Sequence, residues 1–245
     1  MKRYVQTLMA TVFLLLGCQD DDKNKNVGGE IIKFATCADY PPFEYYKNGN
    51  LTGFDIELAH LLAKKLGKTA IFEDMQFGAI LVSVQNETVN AAISAIESSE
   101  EKRKECDFSN VYCKAGMALV YRKGSQATSL EQLSRSKVAY QNGCSIHMKL
   151  LKEKAPTAEL IAMDKMNTAI ESLKAGHVEY VFMDNIPAKS FCEKNDGLAC
   201  SVVAVTEEGY TVMFKKGSSL KAQVDKALEE LKSDGELEKL KAKWL

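Results

Sequence analysis

The sequence predicts an α/β protein built from two similar lobes. Two observations carry that expectation. Beyond residue 30 the chain reads strand, loop, helix, strand, the order of a lobe with a largely parallel sheet. In addition, FGAILVSVQNETVNAAISAI (77–96) and MNTAIESLKAGHVEYVFMDN (166–185) align at a constant offset of 89 residues. Each reads as an amphipathic helix, a tight turn and a buried strand, with Leu81 on Ile170, Val84 on Leu173, Val89 on Val178 and Ile93 on Phe182. Ala95 and Asp184 fall at matching strand ends. In open α/β sheets ligands sit beyond the carboxyl ends of strands, which places Asp184 for contact.

The chain opens with Lys2 and Arg3 followed by a mostly apolar run, Val5 to Leu16, too short to cross a bilayer as a mature helix. This is the layout of a secretory signal over residues 1–17. The sequence Leu15-Leu16-Gly17-Cys18 resembles the bacterial lipobox, which makes Cys18 the expected lipidated residue and new N-terminus. Residues 18–29, polar and ending in Gly28-Gly29, are expected to be a flexible tether.

Next comes the strand IIKFAT (31–36), running into a loop with Pro41-Pro42, which neither a strand nor a helix interior accommodates. KNGN (47–50) is a hairpin turn between FEYY and LTGF. Asp55 is expected to cap a helix carrying Ile56, Ala59, Leu62, Ala63 and Leu66 on one face, with Gly67 closing it. TAIFEDM is the following strand. At the far end, Leu220, Val224, Ala227, Leu228 and Leu231 mark a helix stopped by Gly235, and Leu237, Leu240 and Trp244 mark a last one.

With 32 basic and 33 acidic residues the net charge is −1, so nothing electrostatic points to nucleic acid. His60, His147 and His177 are scattered, and no Cys/His spacing suggests a metal site or cofactor. Six cysteines follow Cys18. Cys192 with Cys200, around the polar loop EKNDGLA, and Cys106 with Cys113 are the two candidate disulfide pairs, free thiols being the alternative for both.

Five segments together carry a family resemblance: YPPFEYYKNGNLTGFDIELAHLLAKKLG, CDFSNVY, KVAYQNGCS, GHVEYVFMD and VDKALEELKSDGELEKLKAKW. In that order and spacing they resemble the bacterial extracytoplasmic solute-binding proteins, in lipoprotein form, that deliver polar amino acids to ABC importers. The resemblance spans Ile31 to Leu245. It implies the type II periplasmic-binding-protein fold, two α/β lobes joined by two crossover strands that form a hinge. On this chain lobe I is expected at 30–115 plus 209–245 and lobe II at 116–208, with CKAGMALVYRK and VVAVTEEGYTVMFKK making the crossings. The implied partners are an amino acid, an ABC permease complex and, through the lipid, a membrane. The protein is expected to be an exported monomer on the periplasmic or cell surface.

The same resemblance assigns a site. Tyr40, with Phe43 as a second aromatic, packs on the ligand side chain; the alternative for Phe43 is a plain core ring. Aligned on YPPF, Cys37 takes the place of an acid found in binders of basic amino acids, and Asp39 either replaces that acid or holds its loop. Asp184 meets the ligand ammonium; its alternative role is to start a helix at NIPAKS. Ser145 and the Gly143 turn serve the carboxylate, Cys144 standing where a threonine is usual. In SAIESSEEKRKECDFS, counting back from Phe108 puts Lys102 on the family's arginine, while a one-residue slip puts Arg103 there. The planar fork that a carboxylate prefers belongs to arginine, which favours Arg103 on chemistry. Glu97 replaces a hydroxyl; with Asp39 and Asp184 it tilts the cleft toward a cationic ligand such as arginine or lysine. Glu100, Glu101, Lys104 and Glu105 read as a solvated helix start.

Two other functions compete. Cys144 and His147, three residues apart, offer a nucleophile and base for a dehydratase-like enzyme on the same fold, without an orienting third group. A sensor or adhesive lipoprotein would use the same lobes without an importer. The reading adopted is a non-enzymatic amino-acid-binding protein.

Overall fold

A computed structural model describes residues 30–245, so the expected signal, the lipidated Cys18 and the tether lie outside the described residues. In chain order the elements are β1 (Ile31–Thr36), β2 (Asp39–Tyr40), β3 (Glu44–Lys47), β4 (Asn50–Thr52), α1 (Phe54–Lys65), β5 (Thr69–Asp74), α2 (Phe77–Gln85) and β6 (Ala91–Glu97). They continue with α3 (Glu100–Glu105), β7 (Cys106–Phe108), β8 (Cys113–Arg122), β9 (Lys137–Gln141), α4 (Ser145–Lys154), β10 (Glu159–Met163) and α5 (Met166–Lys174). The last are β11 (Tyr180–Asp184), α6 (Asn185–Glu193), β12 (Leu198–Lys215), α7 (Leu220–Ser233) and α8 (Glu236–Trp244).

The described residues form a nine-stranded sheet in the order β10-β9-β11-β8-β12-β6-β1-β5, with β7 added to β12, and a small sheet β2-β3-β4. Each flank is parallel: β5-β1-β6 on one side, β10-β9-β11 on the other. Parallel strands need crossover helices, and α1, α2, α4 and α5 supply them. The two flanks meet at the antiparallel pair β8 and β12, the long strands that pass from one half into the other. Their register shifts between Val202 and Ala204 and again between Val205 and Gly209. Such irregularities bend a strand and increase its twist.

The repeat at offset 89 holds in three dimensions. Phe77 and Met166 each open a helix, and each helix returns through a turn into a buried strand, β6 or β11. The hairpin turn is formed by Asn48 and Gly49, both with positive φ (53° and 78°), the geometry of a two-residue primed turn. Helix α1 buries Phe54, Leu58, Ala59, Leu62 and Ala63 against Val224, Ala227, Leu228 and Leu231 of α7 and Leu237 and Leu240 of α8. Each of the larger side chains contributes about 1.5–3 kcal/mol by leaving water.

Two expectations are corrected. Asp55 is not a cap: the residue before the helix is Gly53, and no side chain caps α1. Asp55 is fully buried in the first turn, where its Oδ2 accepts from Ala95 N at 2.7 Å and Tyr112 Oη at 2.8 Å. Cys106 and Cys113 do not pair. Cys106 stands opposite Lys215 and Cys113 opposite Tyr210, five residues apart on the same strand. At the rise of an extended chain that is about 17 Å, against a limit near 7 Å for bridged Cα atoms.

Asp55 has a second buried acid beside it. Glu44 Oε1 accepts from Ser94 Oγ at 2.9 Å, and Ser94 Oγ accepts from Cys37 N at 3.0 Å. Glu44 Oε2 and Asp55 Oδ1 are buried with no donor from any other group, and the two carboxyl groups are close enough to perturb each other's titration. A single proton held between the two groups would satisfy both oxygens. Burial first, and then the neighbouring acid, drives Glu44 well above the carboxylate range; burial likewise raises Asp55 to about 6. The folded state thus keeps protons that the unfolded chain loses near pH 4. Stability from this pair is therefore greatest at low pH and falls as pH rises through about 6 and beyond, by on the order of 2–3 kcal/mol for Asp55. Urea unfolding of Glu44→Gln, which keeps a donor for Asp55 and removes one charge, is expected to show a flatter decline between about pH 5 and pH 8 than the parent. Equal slopes for the two proteins would refute the shared proton.

Candidate functional site

Apolar β11 ends at Asp184, 4% exposed, because the carboxylate has donors from both halves of the molecule. Tyr40 Oη, from β2, donates to Oδ2 at 3.0 Å and itself accepts from Asp184 N at 3.1 Å. Tyr210 Oη, from β12, donates to the same oxygen at 2.7 Å. His147 Nε2, from α4, lies 3.1 Å from Oδ1. A carboxylate offers about four lone-pair directions. Three are used, leaving one on Oδ1.

Burial raises the Tyr40 and Tyr210 phenols well above their ordinary range, and Asp184 pushes in the same direction, so both hydroxyls keep their protons. His147 is 2% exposed. Burial works against its charged form, but Cys144 and Asp184 outweigh this and hold its pKa well above 6.5. When protonated, the ring makes a buried ion pair with Asp184.

Other contacts join the halves around this point. Asp39, 2% exposed, accepts from Cys37 Sγ at 3.4 Å on Oδ1 and from Met166 N, at the start of α5, at 2.6 Å on Oδ2. Burial raises its pKa while these hydrogen bonds oppose the rise. Its carboxylate therefore clasps the first turn of a helix in the other half, where unpaired N–H groups favour an anion. Gln76 Nε2 reaches Asp164 Oδ2 at 3.4 Å. Gly143 has φ +83°, and a Cβ on it would lie 2.6 Å from Gly78 Cα. The close approach expected at Gly143 is thus made to the backbone of α2 in the opposite half.

The remaining candidates fall as follows. Phe43 is fully buried, edge-on to Phe54 and to Tyr210, one ring behind the Asp184 network. Glu97, 6% exposed, ends β6 in register with Tyr210. Lys102 is half-buried with Nζ 5.3 Å from the centre of the Phe77 ring. Arg103 is exposed; its guanidinium donates to Ser98 Oγ at 2.5 Å and lies 5.9 Å from the Phe108 ring. Ser145 opens α4 with a buried Oγ that has no partner. Asp184 precedes α6 but makes no side-chain cap bond.

Three contributors escaped the sequence reading: Phe77, Tyr210 and the bond from His147 to Asp184. For Phe77 a signal was present, since it opens the repeated unit next to Gly78. A cavity of about 520 Å³ also lies between the halves, walled by Asp39, Tyr45 and Asp74 on one side and Lys165, Asn167 and Glu171 on the other. Among the described residues no helix is long and apolar enough to cross a membrane. No cluster of three or more His, Cys, Asp or Glu suited to a metal occurs among them either.

Two sheet halves joined by a pair of long strands, closing over a buried acid, define a two-lobed ligand-binding protein of the periplasmic-binding type. Its family follows from comparison: the model for bacterial extracellular solute-binding proteins, family 3, matches residues 32–245, and the chain belongs to that family. It is 33% identical over 251 residues to the arginine-binding extracellular protein ArtP of Bacillus subtilis strain 168, covering all of this chain and 98% of the relative. To the ABC transporter glutamine-binding protein GlnH of the same organism it is 32% identical, over 81% of this chain and 74% of that one. A solved ancestral arginine-binding protein bound to arginine superposes with a TM-score of 0.84 at 35% identity, over 88% of this chain and 98% of that chain.

Replacing His147 by leucine leaves Asp184 buried with only the two tyrosine donors. Breaking a buried pair in this way costs about 3–5 kcal/mol. A folded pKa above the unfolded value near 6.5 gives stability that is complete below pH 6.5 and lost as pH rises through the folded pKa. Denaturant unfolding is expected to show the largest gap between parent and His147→Leu on the acid side, narrowing under alkaline conditions. A gap independent of pH would mean that the ring is neutral.

Proposed function

We propose that this protein binds one free amino acid between its lobes, with a preference for arginine or another cationic one, and passes it to an ABC importer. The observation that carries this reading is the Asp184 network. An acid held by donors from both halves, with one lone-pair direction left on Oδ1, is a ready partner for an ammonium group when the halves are closed. Ligand contact with both lobes then stabilises the closed form, which an importer distinguishes from the open one.

The parts divide by chemistry. Tyr40 and Phe77 supply aromatic faces for the ligand side chain. Ser145, whose buried Oγ lacks a partner, and the backbone N–H groups at the start of α4 serve the carboxylate. Lys102 is the cation assigned to that carboxylate, because its amine lies over Phe77, next to the Gly78–Gly143 contact, while Arg103 is committed to Ser98. Glu97 closes β6 in register with Tyr210 and is counted with Asp184 among the acids that suit a cationic ligand. Asp39 acts as a clasp between lobes through Met166 N. Lobe I is assigned to 30–115 plus 209–245 and lobe II to 116–208, with β8 and β12 as the hinge.

The relatives support a preference for arginine without requiring it: ArtP and the ancestral protein are arginine binders, and GlnH is a glutamine binder. Cys144 and His147 are given a structural part, since the ring is turned to Asp184 and buried. The protein is assigned to the exported side of the envelope, with Cys18 as its lipid anchor.

A thermal-shift panel of the twenty amino acids is expected to raise the melting point most with arginine or lysine; a response to none of them would refute the assignment. By calorimetry, Asp184→Asn is expected to weaken binding about 100-fold or more, near 3 kcal/mol, and an unchanged Kd would remove the ammonium contact. Lys102→Met should weaken binding about tenfold or more and Arg103→Met by less; the reverse order would reassign the carboxylate to Arg103. Gly143→Ala should also weaken binding at least about tenfold. Gly49→Ala, which has a similar φ of +78° but open space around it, isolates the backbone cost, and matching losses in the two variants would show that the Gly78 contact is not needed.

A further inference from the structure

Cys192 lies in the last turn of α6, and Cys200 is the third residue of β12. Between them the chain reverses through a series of short turns. Lys194 N donates to Phe191 O and Asn195 N to Cys192 O, both at 3.2 Å, and Leu198 N donates to Asn195 O at 2.9 Å. Asn195 Nδ2 adds a bond to Phe191 O at 2.8 Å. Cys200 is fixed from the other side, in register with Val120 of β8. Both thiols thereby lie against the same core surface, one at each end of this reversal, and each perturbs the other's acidity. Both pack on the main core and both remain partly accessible, whereas Cys37, Cys106, Cys113 and Cys144 are buried.

The two sulfurs are not equivalent. The hydrogen bond from Cys192 lowers the Cys200 pKa to about 7, with Lys189 acting in the same direction. That same bond, followed by burial, drives Cys192 far up. A thiol near neutrality is partly thiolate at pH 7, and the thiolate is the attacking species in exchange.

We propose that Cys192 and Cys200 form a redox-active dithiol, with Cys200 as the attacking sulfur and Cys192 as the resolving one, and that its co-reactant is a disulfide. The Cys200 thiolate attacks one sulfur of RS–SR; that S–S bond breaks, RS⁻ leaves, and a mixed disulfide forms on Cys200. Cys192 then gives its proton to solvent and attacks the Cys200 sulfur, releasing the second RS⁻. Two electrons pass from the dithiol to the co-reactant, which ends as two thiols. The product ties the end of α6 to the start of β12. Because α6 starts directly after Asp184, the cross-link fixes the helix behind that acid to a strand that crosses between the halves. The pairing rests on where the chain places the two thiols and the order of attack on their unequal acidity, and both are independent of which ligand is bound.

The test uses the full chain, reduced, desalted and exposed to oxidised glutathione, then alkylated under denaturing conditions and mapped by peptide mass. The expected product has lost two hydrogens and carries a Cys192–Cys200 cross-link, with the other cysteines still alkylated. Cys192→Ser should stop at a glutathione adduct on Cys200, and Cys200→Ser should give neither product. Before oxidation, Cys200 should alkylate about tenfold faster than Cys192 near pH 7. Cys192 and Cys200 both alkylated after oxidation of the parent, a cross-link to a different cysteine, or an adduct that builds up on Cys192 instead would each overturn the proposal.

Discussion

Everything in the cleft depends on keeping one charge, that of Asp184, out of water. A lone carboxylate at the end of an apolar strand is costly, and the cost is met only when donors converge on it. Here they come from β2, from β12 and from α4, which are far apart in sequence. Satisfying the acid therefore forces the two halves into one arrangement. The aromatic stack behind it follows from the same demand, because Tyr210 has to be held at its position and Phe43 holds it edge-on.

Around that centre the two halves present similar structures to each other. α2 and α5 both begin at the cleft, and each meets the opposite half at its first turn. Met166 N, opening α5, is bonded to Asp39. Gly78, the second residue of α2, touches Gly143. A duplicated helix–turn–strand unit thus yields two contacts of different kinds, one electrostatic and one steric. The electrostatic one orients the halves, and the steric one limits how near they come.

Much of the architecture was legible because it rests on local pattern. The offset of 89 residues, the Asn48-Gly49 turn and the apolar faces of α1 and α7 are all set by near neighbours in the chain. Asp184 was legible for a different reason: a charge closing the run Tyr180–Met183 stands out. The bonds that give it meaning were not, since Tyr210 and His147 approach through tertiary packing and leave no periodic trace. The misreading of Asp55 has the same root. An acid just inside a helix looks like a cap, and only the burial of Glu44 beside it reveals a different use. Cys106 and Cys113 could be read as a pair or as free thiols, and strand register decides for free thiols.

The path of the chain also has a consequence for the order of assembly. The half built from β9, β10 and β11 with α4 to α6 is continuous in sequence, so its contacts are available as soon as those residues emerge. The other half is not. α1 lies near the start of the chain, yet the partners that cover it are α7 and α8 at the very end, pinned by Lys65 to Asp234 and Lys243 to Glu57. Until those helices arrive, Phe54, Leu58 and Leu62 have no apolar surface on that side to pack against. Contacts between residues this distant close late and slowly. A chain emerging from its N-terminus therefore exposes a sticky, half-finished lobe for as long as the final turn of α8 is missing, and loss of only the last helix should prolong that vulnerable state.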